Sequence, residues 1–404
     1  MEEAGYVVIG AGALGSSTAY HLARRGAGPV VLLDRYEIGS QTSPRAAGLT
    51  STVAASTDLA ARLMREAIEQ LATFEADSGR SINFHRSGSL KAALTEAGEE
   101  RMYRDAERAA ALGAPVEMVS HAQAARLAPH FRPGRARSIL YSPTEGWLDP
   151  DKLAPGYAAR AAEAGAELRP NTAVTGLLRD EGQVVGVQTE RGDIRAPVVV
   201  DAAGAWARLV AEVAGIRVPM VPTRHQLYIT EPIPGVEPLQ PIVRILENSV
   251  YARYERGGLL VGGYEDQPLQ LDPADQPADF QVGDLPLDLQ VLRGLTEEVL
   301  EFFPVLREAP IREHRGGLPT LTPDGHFIVG PVPNLEGFYV ISGCNVGGLS
   351  ISPALGRALA DLIVDARSEP DLQPSSVERF ADAYHDAGQL AAACQHAYAR
   401  KYMK

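Results

Sequence analysis

The sequence predicts an α/β protein, α+β in its two-domain organisation, in which a Rossmann-like nucleotide-binding domain is interleaved with an antiparallel-sheet domain. A short β-branched run, a glycine turn and a helix open the chain, and similar segments return at residues 149–215 and at the carboxyl-terminal end. The segments between them have antiparallel strand patterns. We therefore expect a nucleotide-binding domain of residues 1–83, 147–218 and 315–404, and a substrate domain of residues 84–146 and 219–314.

Composition narrows the range of possible functions. The 404 residues are 45% hydrophobic and 22% charged, which is typical of a folded chain with sizeable cores. A net charge of −13 disfavours nucleic-acid and membrane partners, and an anionic substrate would need local cations. The two cysteines exclude a disulfide scaffold and a cysteine-rich metal site, so we expect no metal. The acidic amino terminus and the lack of a long apolar run favour a cytoplasmic location.

The first elements follow from residue pattern and punctuation. We expect strands near residues 7–9 and 30–33 around a helix at 14–25, because β-branched runs flank a helical spacing of apolar residues. A helix should follow at 59–78. The first part of the second domain should then contain a strand at 88–93 and a charged helix at 96–112.

The later elements alternate between the two patterns. Asp149 is a candidate N-cap before Pro150, and Ser352 is another before Pro353. The tail from Val377 is expected to be a polar helix, and an earlier helix should end near Phe303. The remaining predictions are helices at 150–164 and 352–365 and strands at 174–178, 184–190, 198–202, 225–230, 250–254, 258–262 and 338–342.

The most specific local motif is a glycine-rich turn directly after the first strand. Gly10-Ala11-Gly12-Ala13-Leu14-Gly15 matches the pattern in which three glycines allow a tight turn, close approach of a pyrophosphate and packing of helix on strand. Asp34 follows 22 residues after Gly12, at the end of the second strand, where a carboxylate can hold ribose hydroxyls. The motif predicts a dinucleotide and by itself does not separate NAD from FAD.

Further motifs extend over nearly the whole chain in a consistent order. With the amino-terminal turn they resemble the D-amino-acid-oxidase-type FAD-dependent oxidoreductases, in the branch that contains sarcosine oxidase and dimethylglycine dehydrogenase. The segments that carry the resemblance are Ser43-Pro44-Arg45-Ala46-Ala47-Gly48-Leu49, Val199-Val200-Asp201-Ala202-Ala203-Gly204-Ala205-Trp206-Ala207, Arg224-His225-Gln226-Leu227-Tyr228 with Tyr251 and Gly262-Gly263-Tyr264-Glu265, and Gly316-Gly317-Leu318-Pro319 through Thr322-Pro323-Asp324-Gly325 to Gly343-Cys344-Asn345-Val346-Gly347-Gly348-Leu349.

The resemblance implies FAD as the cofactor, held by the discontinuous nucleotide-binding domain. The residues that it assigns to FAD are Gly10, Ala11, Gly12, Ala13, Leu14, Gly15, Asp34, Arg35, Ser43, Arg45, Ala46, Ala47, Gly48, Leu49, Val174, Ala203, Gly204, Trp206, Gly316, Gly343, Asn345, Val346, Gly347, Gly348 and Leu349. The last glycine turn leads into a helix whose amino-terminal end would stabilise the negative charge of reduced flavin.

Departures from the family pattern predict non-covalent FAD. Arg45 stands where the dimethylglycine dehydrogenase branch carries its attachment histidine, and Gly317 stands where monomeric sarcosine oxidases carry their attachment cysteine. Ser350 replaces a lysine that sarcosine oxidases have near the flavin. Cys344 matches no attachment position and is expected to be a buried small residue.

The resemblance implies oxidation of the C–N bond of a small secondary or tertiary amino acid similar to sarcosine or dimethylglycine. Hydride would pass to flavin N5, and water would hydrolyse the imine. His225 would orient or deprotonate the amine, and Tyr251 and Tyr264 would line the same cleft. Arg253 and Arg315 are the candidate cations for the substrate carboxylate.

Several alternatives remain open from the sequence. One is a glycine or D-amino-acid oxidase, and another is a cyclic imino-acid dehydrogenase subunit of the proline type. A non-catalytic flavin-binding subunit is a different class, and a nicotinamide dehydrogenase is the most distant. The electron acceptor, oxygen or a carrier, and the oligomeric state are not determined by the sequence.

Overall fold

A computed structural model describes residues 2–53, 57–381, 383–399 and 401–402. The α-helices among these residues are α1 (Ala13–Arg24), α2 (Asp58–Ser78), α3 (Glu96–Ala111), α4 (His121–Leu127), α5 (Pro150–Glu163), α6 (Ala207–Val213), α7 (Leu289–Glu297), α8 (Gly348–Asp365) and α9 (Ala387–Ala399). In the described ranges, no helix combines the length and apolar character that a membrane span requires.

The strands are short and belong to several sheets. In chain order they are β1 (Glu2–Glu3), β2 (Tyr6–Ile9), β3 (Val30–Leu33), β4 (Ser89–Ala93), β5 (Glu117–Met118), β6 (Ser138–Ser142), β7 (Glu167–Arg169), β8 (Val174–Asp180), β9 (Gln183–Thr189), β10 (Ile194–Arg195), β11 (Val198–Asp201), β12 (Val221–Pro222), β13 (His225–Thr230), β14 (Ile242–Ile245), β15 (Val250–Glu255), β16 (Gly258–Gly263), β17 (Ile311–Gly317), β18 (Thr320–Leu321), β19 (Ile328–Pro331) and β20 (Phe338–Ser342).

One sheet has the order β19-β20-β11-β2-β3-β7 and is parallel except for β19. Its central strands are runs of β-branched residues and leucine because both faces are covered. Val8 and Leu32 face a core with helices α1, α2, α5 and α8. Val7 and Val31 face the opposite core, which contains α6 and the small sheet β1-β10-β9-β8.

The second large sheet has the order β17-β13-β16-β15-β14-β4-β6-β5 and is antiparallel except for the β14–β4 pair. Strand alternation divides its residues between two cores. Tyr228 packs in a core with α7 and α4, whereas Leu227 and Ile229 pack on the face that carries Tyr251 and Tyr264. The predicted α/β architecture with a separate antiparallel sheet is confirmed.

Two predicted helix boundaries are wrong. Helix α7 ends at Glu297 and not near Phe303, because Phe302 and Phe303 turn into the core and the backbone closes tight turns over residues 299–303. Helix α8 begins at Gly348, so Pro353 lies inside it and Ser352 is not its N-cap. The Ser352 hydroxyl donates to the Leu349 carbonyl at 3.0 Å, which Pro353 has no N–H to reach.

The carboxyl-terminal segment also differs from its prediction. Residues Val377–Phe380 form a 3₁₀ turn, and the helix that follows, α9, is not a polar surface helix. Its residues Cys394 and Tyr398 are fully buried, and α9 packs against β12 and β18. The division into two domains stays a prediction.

Candidate active site

The glycine turn after β2 has the shape that its sequence predicts. Gly10 has φ +101°, and a Cβ at this position would meet the backbone of Ala202 and Ala203. A Cβ at Gly15 would overlap the carbonyl oxygen of Gly10, so α1 packs tightly on the turn. The Ala13 N–H, in the first turn of α1, donates to the Ser43 hydroxyl at 3.0 Å. Sequence β2, turn and α1 therefore form one rigid unit.

Asp34 closes the second strand beside this turn. Its carboxylate accepts the Ala11 N–H at 2.7 Å and the Tyr36 N–H at 2.8 Å, one on each oxygen. Burial raises the pKa of Asp34 to about 6, although both N–H donors act to lower it. Each carboxylate oxygen keeps a further lone pair for an additional donor.

A long cleft of two lobes runs from Asp34 to the antiparallel sheet. The lobe that contains Asp34, the nucleotide lobe, encloses about 1280 Å³, and the ring lobe at the other end encloses about 1390 Å³, the solvent at their mouths included. The lobes meet at residues that line both of them: Gly12, Thr42, Ser43, Ala202, Gly204 and Ala205. The cleft therefore suits one elongated ligand rather than two separate small molecules.

Most residues that were assigned to the cofactor line this cleft. Those in the nucleotide lobe are Gly10, Gly12, Asp34, Arg35, Ser43, Val174, Ala203, Gly204 and Trp206. Those in the ring lobe include Gly12, Ala13, Leu14, Ser43, Arg45, Ala46, Ala47, Gly48, Leu49, Gly204, Val346, Gly347, Gly348 and Leu349. Ala11, Gly15, Gly316, Gly343 and Asn345 are not among the lining residues.

Asn345 shapes the turn before α8 from behind the cleft wall. Its side chain is buried, accepts the Thr322 N–H at 3.1 Å and donates to the carbonyl of Gly343. Asn345 and Val346 both have positive φ, 47° and 68°. The turn therefore bends sharply, and Val346 and Gly347 face the ring lobe.

Aromatic residues form the wall of the ring lobe on the side of the antiparallel sheet. This aromatic cluster consists of His225, Tyr251, Tyr264, Tyr398 and Tyr402. His225 Nδ1 lies 2.8 Å from the Tyr398 hydroxyl, and Nε2 lies 2.9 Å from the Tyr251 hydroxyl. Burial, with a smaller effect from the charge of Lys401, lowers the pKa of His225 to about 3, so the ring is neutral.

The end of the chain supplies part of this lobe, which the sequence interpretation missed. Lys401 and Tyr402 line the ring lobe, and Tyr398 holds His225 from behind. A spacing of four residues, from Cys394 to Tyr398 to Tyr402, places these buried side chains on one helical face. That spacing was the available signal.

The charge of the ring lobe has the opposite sign to the charge of the whole chain. Arg45, Arg244 and Lys401 line the ring lobe, whereas none of the described residues that line it is acidic. Lys401 Nζ donates to the carbonyl of Asn345 at 2.8 Å. The Tyr402 hydroxyl hydrogen-bonds with both Arg244 and Tyr264. The lobe therefore attracts anions, although the chain carries a net charge of −13.

Behind the ring lobe lies a buried triad of Lys91, Glu145 and Arg244. Glu145 contacts Lys91 at 3.0 Å and Arg244 at 3.3 Å, and each of the three is at most 3% exposed. Burial acts to raise the pKa of Glu145, but the two cations outweigh it and hold the pKa at about 2. One negative charge therefore faces two positive charges inside the protein.

Comparison with known proteins identifies the family. Residues 6–362 match the family model described as FAD dependent oxidoreductase. The chain belongs to the FAD dependent oxidoreductase family. This match confirms the resemblance and makes FAD the cofactor of the site.

The curated relatives are longer than this flavoprotein chain. Mitochondrial sarcosine dehydrogenase of Mus musculus is 32% identical over 406 residues, which are 99% of this chain and 44% of the relative. The formaldehyde-forming 4-methylaminobutanoate oxidase of Paenarthrobacter nicotinovorans is 30% identical over 98% of this chain and 48% of the relative. The chain thus spans about half the length of these relatives.

Among solved structures, L-proline dehydrogenase from P. horikoshii has a TM-score of 0.85 and 26% identity, over 94% of this chain and 98% of that chain. Glycine oxidase from Geobacillus kaustophilus has a TM-score of 0.80 at 24% identity, over 93% of this chain and 99% of that chain. The second similarity shows the fold alone.

The cleft fits FAD on its own geometry. A Cβ at Gly204, where the two lobes meet, would have no protein atom within 4 Å, so the backbone there is open to a ligand. Asp34 would hold the ribose, Val174 would lie by the adenine, and the ring lobe would take the flavin ring. Arg45 and Gly317 both line the ring lobe. Neither of these side chains can form the covalent bond that a histidine or cysteine forms in relatives.

The two arginines predicted for the substrate carboxylate lie outside the lining of the ring lobe. Arg253 is fully buried, donates from Nε to the carbonyl of Ala47 at 2.7 Å and pairs with Glu255 at 2.7 Å. Arg315 pairs with Glu313 at 3.3 Å, and its Nη2 lies 3.4 Å from the carbonyl oxygen of Ala46. Both guanidinium groups therefore support the Ala46–Ala47 segment from behind.

Cys344 is partly exposed and lines the ring lobe, so the expectation of a buried residue is wrong for it, whereas Cys394 is buried. Ser350 also lines this lobe, and its hydroxyl donates to the Gly347 carbonyl at 2.9 Å. Over the described residues, no cluster of three or more His, Cys, Asp or Glu side chains could hold a metal ion.

Proposed function

We propose that this chain catalyses the FAD-dependent oxidation of the C–N bond of a small secondary or tertiary amino acid similar to sarcosine or dimethylglycine. One observation carries the proposal: the ring lobe joins the flavin-side turns to an aromatic cluster and a lining of basic residues without an acidic one among those described. The relatives named as a sarcosine dehydrogenase and as a formaldehyde-forming oxidase of 4-methylaminobutanoate support it.

The basic residues would hold the substrate carboxylate. Lys401 is close enough to His225 for its charge to act on the imidazole, and Arg244 lies beyond Tyr402. This places Lys401 in the role that the sequence interpretation gave to Arg253 or Arg315. A carboxylate bound there would contribute charge-assisted hydrogen bonds in a largely buried site.

The same positive charge would favour the neutral amine. A cation beside a bound ammonium group lowers the ammonium pKa, and burial acts in the same direction. His225 stays neutral and orients the amine through hydrogen bonds rather than by holding a positive charge. FAD, when bound, accepts a hydride from the carbon next to the nitrogen, and the imine product is then hydrolysed by water.

The walls of the ring lobe would also limit the size of the substrate. Tyr251 and Tyr264 are buried, and their ring centroids lie 6.0 and 4.9 Å from that of His225. Aromatic rings at this spacing exclude water and leave room for a small aliphatic amine. FAD would be held without a covalent bond, and either oxygen or a carrier protein would reoxidise it.

A second candidate is oxidation of a cyclic imino acid. The TM-score of 0.85 with an L-proline dehydrogenase favours it, and the site makes the same demands, a neutral amine and a held carboxylate. A different class, a flavin-binding subunit without catalysis, would use the same cofactor cleft.

Anaerobic titration of the yellow protein separates these functions. We expect sarcosine or dimethylglycine to bleach the flavin and release formaldehyde, and glycine or D-alanine to act much more slowly. Bleaching by proline alone would establish the second candidate. If no amine bleaches the flavin, a non-catalytic subunit is the correct reading. Acid precipitation completes the test, since non-covalent FAD stays in the supernatant and attached flavin colours the pellet.

A further inference from the structure

A small side cavity of about 350 Å³ lies beside the ring lobe, with the solvent at its mouth included. Four of its lining residues are basic, namely Lys91, Arg101, Arg244 and Lys401, whereas Asp105 is the acidic residue in the described lining. The side cavity and the ring lobe share Arg244, Lys401 and Tyr402. It is therefore next to the proposed substrate site, on its far side from the glycine turn.

Hydrogen-bond donors in this cavity outnumber the acceptors that the protein provides. Lys91 has three N–H donors, and in the described structure its ammonium contacts Ser51 Oγ at 3.2 Å and Glu145 at 3.0 Å. Arg101 pairs through Nε with Asp105 at 3.4 Å, while its Nη1 is buried and has no acceptor among the described residues. Buried donors without acceptors are costly, so the site is suited to an additional acceptor.

The charges agree with the donor count. The buried triad of Lys91, Glu145 and Arg244 keeps one positive charge in excess, and Arg101 is balanced by Asp105. A carboxylate of a ligand would compensate the triad and accept from Lys91 and Arg101. A neutral group of the same size would leave the excess charge uncompensated.

We propose that the side cavity is an anion subsite that takes the second carboxylate of a dicarboxylic N-alkyl amino acid. The inference rests on the proposed function, since the amine of the same substrate would lie at the aromatic cluster. From His225 to Tyr264 and from Tyr264 to Tyr402 the ring centroids are 4.9 and 5.2 Å apart. The second carboxylate must therefore be carried on a chain of several atoms that passes Tyr402.

Inert thioethers test the subsite by binding alone, because sulfur replaces the amine and no oxidation occurs. The probes are (methylthio)acetate and a series of (carboxymethylthio)alkanoates of increasing length, each with a matched analogue whose distal group is a carboxamide. Binding to the FAD-loaded protein is measured by flavin absorbance changes and by calorimetry. We expect one dicarboxylate to bind at least tenfold more tightly than its carboxamide analogue.

Variants on helix α3 locate the effect. Arg101→Met should reduce the preference for the carboxylate to about onefold, and Arg101→Lys should retain most of it. Arg104→Met is the matched control, since Arg104 is three residues along the same helix and 67% exposed. If Arg101→Met does not fold, Lys401→Met provides the second test of the same loss.

The possible results separate this proposal from the proposed function. Equal binding of dicarboxylate and carboxamide in the wild-type protein, with (methylthio)acetate still bound, overturns the subsite alone. Loss of (methylthio)acetate binding as well would overturn the amino-acid site itself. Competition by free acetate at the same concentration as the dicarboxylate would show a site for separate anions and would also overturn the proposal. An equal effect of Arg104→Met would do the same.

Discussion

His225 shows how burial changes the chemistry of a single residue. An exposed histidine titrates near neutral pH, and on that basis the sequence allowed it to deprotonate an amine. In the structure burial lowers the pKa of His225 to about 3, and both ring nitrogens contact tyrosine hydroxyls. The residue is therefore better suited to orient a neutral amine than to take its proton.

Tyr398 is expected to act through His225. Tyr398→Phe removes the hydroxyl that lies 2.8 Å from Nδ1, which frees the imidazole to rotate or change tautomer. We expect the limiting rate of anaerobic flavin bleaching to fall about tenfold, with FAD content unchanged. Stopped-flow absorbance measures it. Tyr228→Phe is the control, because it removes a buried hydroxyl bonded to Thr296 at 2.9 Å in the other core, and it should leave the rate unchanged.

Asp201 makes folding stability depend on pH. It is fully buried, one oxygen accepts the Ala203 N–H at 3.1 Å, and the other has no partner among the described residues. Burial raises the pKa of Asp201 from 3.8 to about 8. Between these values the folded state binds more protons than the unfolded state, so stability falls as pH rises, by at most about 1.4 kcal/mol per pH unit.

Asp201→Asn should remove this pH-dependent loss. With excess FAD present, we expect the variant to gain stability relative to wild type at pH 8 and much less at pH 5, as measured by urea unfolding at both pH values. Asp180→Asn, at an exposed strand end, should show no such difference. A gain at pH 5 equal to that at pH 8 would contradict the assignment.

At the scale of elements, tight packing at the glycine turn constrains helix α1. Gly15 has no room for a Cβ because the carbonyl of Gly10 occupies that space. Helix boundaries are less constrained by local sequence. Pro353 predicted the start of α8, yet the helix begins at Gly348 because the Ser352 hydroxyl satisfies the carbonyl that proline leaves free.

Two glycine-to-alanine changes in helices should have opposite effects. Gly15→Ala should displace α1 from the turn, lower the melting temperature and abolish FAD retention. Gly294→Ala, in α7, has no atom within 4 Å of the new Cβ, so it should stabilise the protein by about 0.5–1 kcal/mol. Thermal unfolding and the ratio of flavin to protein absorbance measure both. Similar outcomes for the two variants would show that packing at the turn is not limiting.

At the scale of the whole molecule, the cofactor cleft links segments that are far apart in sequence. Its lining includes residues from Ile9 to Tyr402, and the ring lobe is bounded by both large sheets. A ligand in this cleft contacts the parallel sheet, the antiparallel sheet and the carboxyl-terminal segment. FAD binding should therefore stabilise the folded state as a whole.

Added FAD should raise the melting temperature in a concentration-dependent way, with a gain of about 2.7 kcal/mol at a free concentration of 100 Kd. Asp34→Ala removes the carboxylate that holds the Ala11 and Tyr36 N–H groups and would contact the ribose, so the gain at equal FAD should be smaller. Differential scanning fluorimetry compares the two. Glu37→Ala, at an exposed position three residues further on, should behave as wild type.

The sequence by itself determined the fold class, the glycine turn with Asp34, the family and its cofactor, because these depend on local patterns and on motif order. Strand β13 and strand β20 were predicted to the residue, since short β-branched runs bounded by turn residues leave little choice of register. Motif order was sufficient for FAD because each cofactor segment carries small residues that no ordinary core requires.

Only the tertiary structure decided which charged and aromatic side chains share the ring lobe. Arg253 was predicted beside Tyr251 from strand alternation, yet its long side chain reaches behind Ala47 and pairs with Glu255. Lys401 and Tyr402 enter the lobe from a segment about 150 residues further along the chain, and no local pattern encodes that contact. The side-chain path and the long-range docking of α9 depend on packing, which local propensity does not specify.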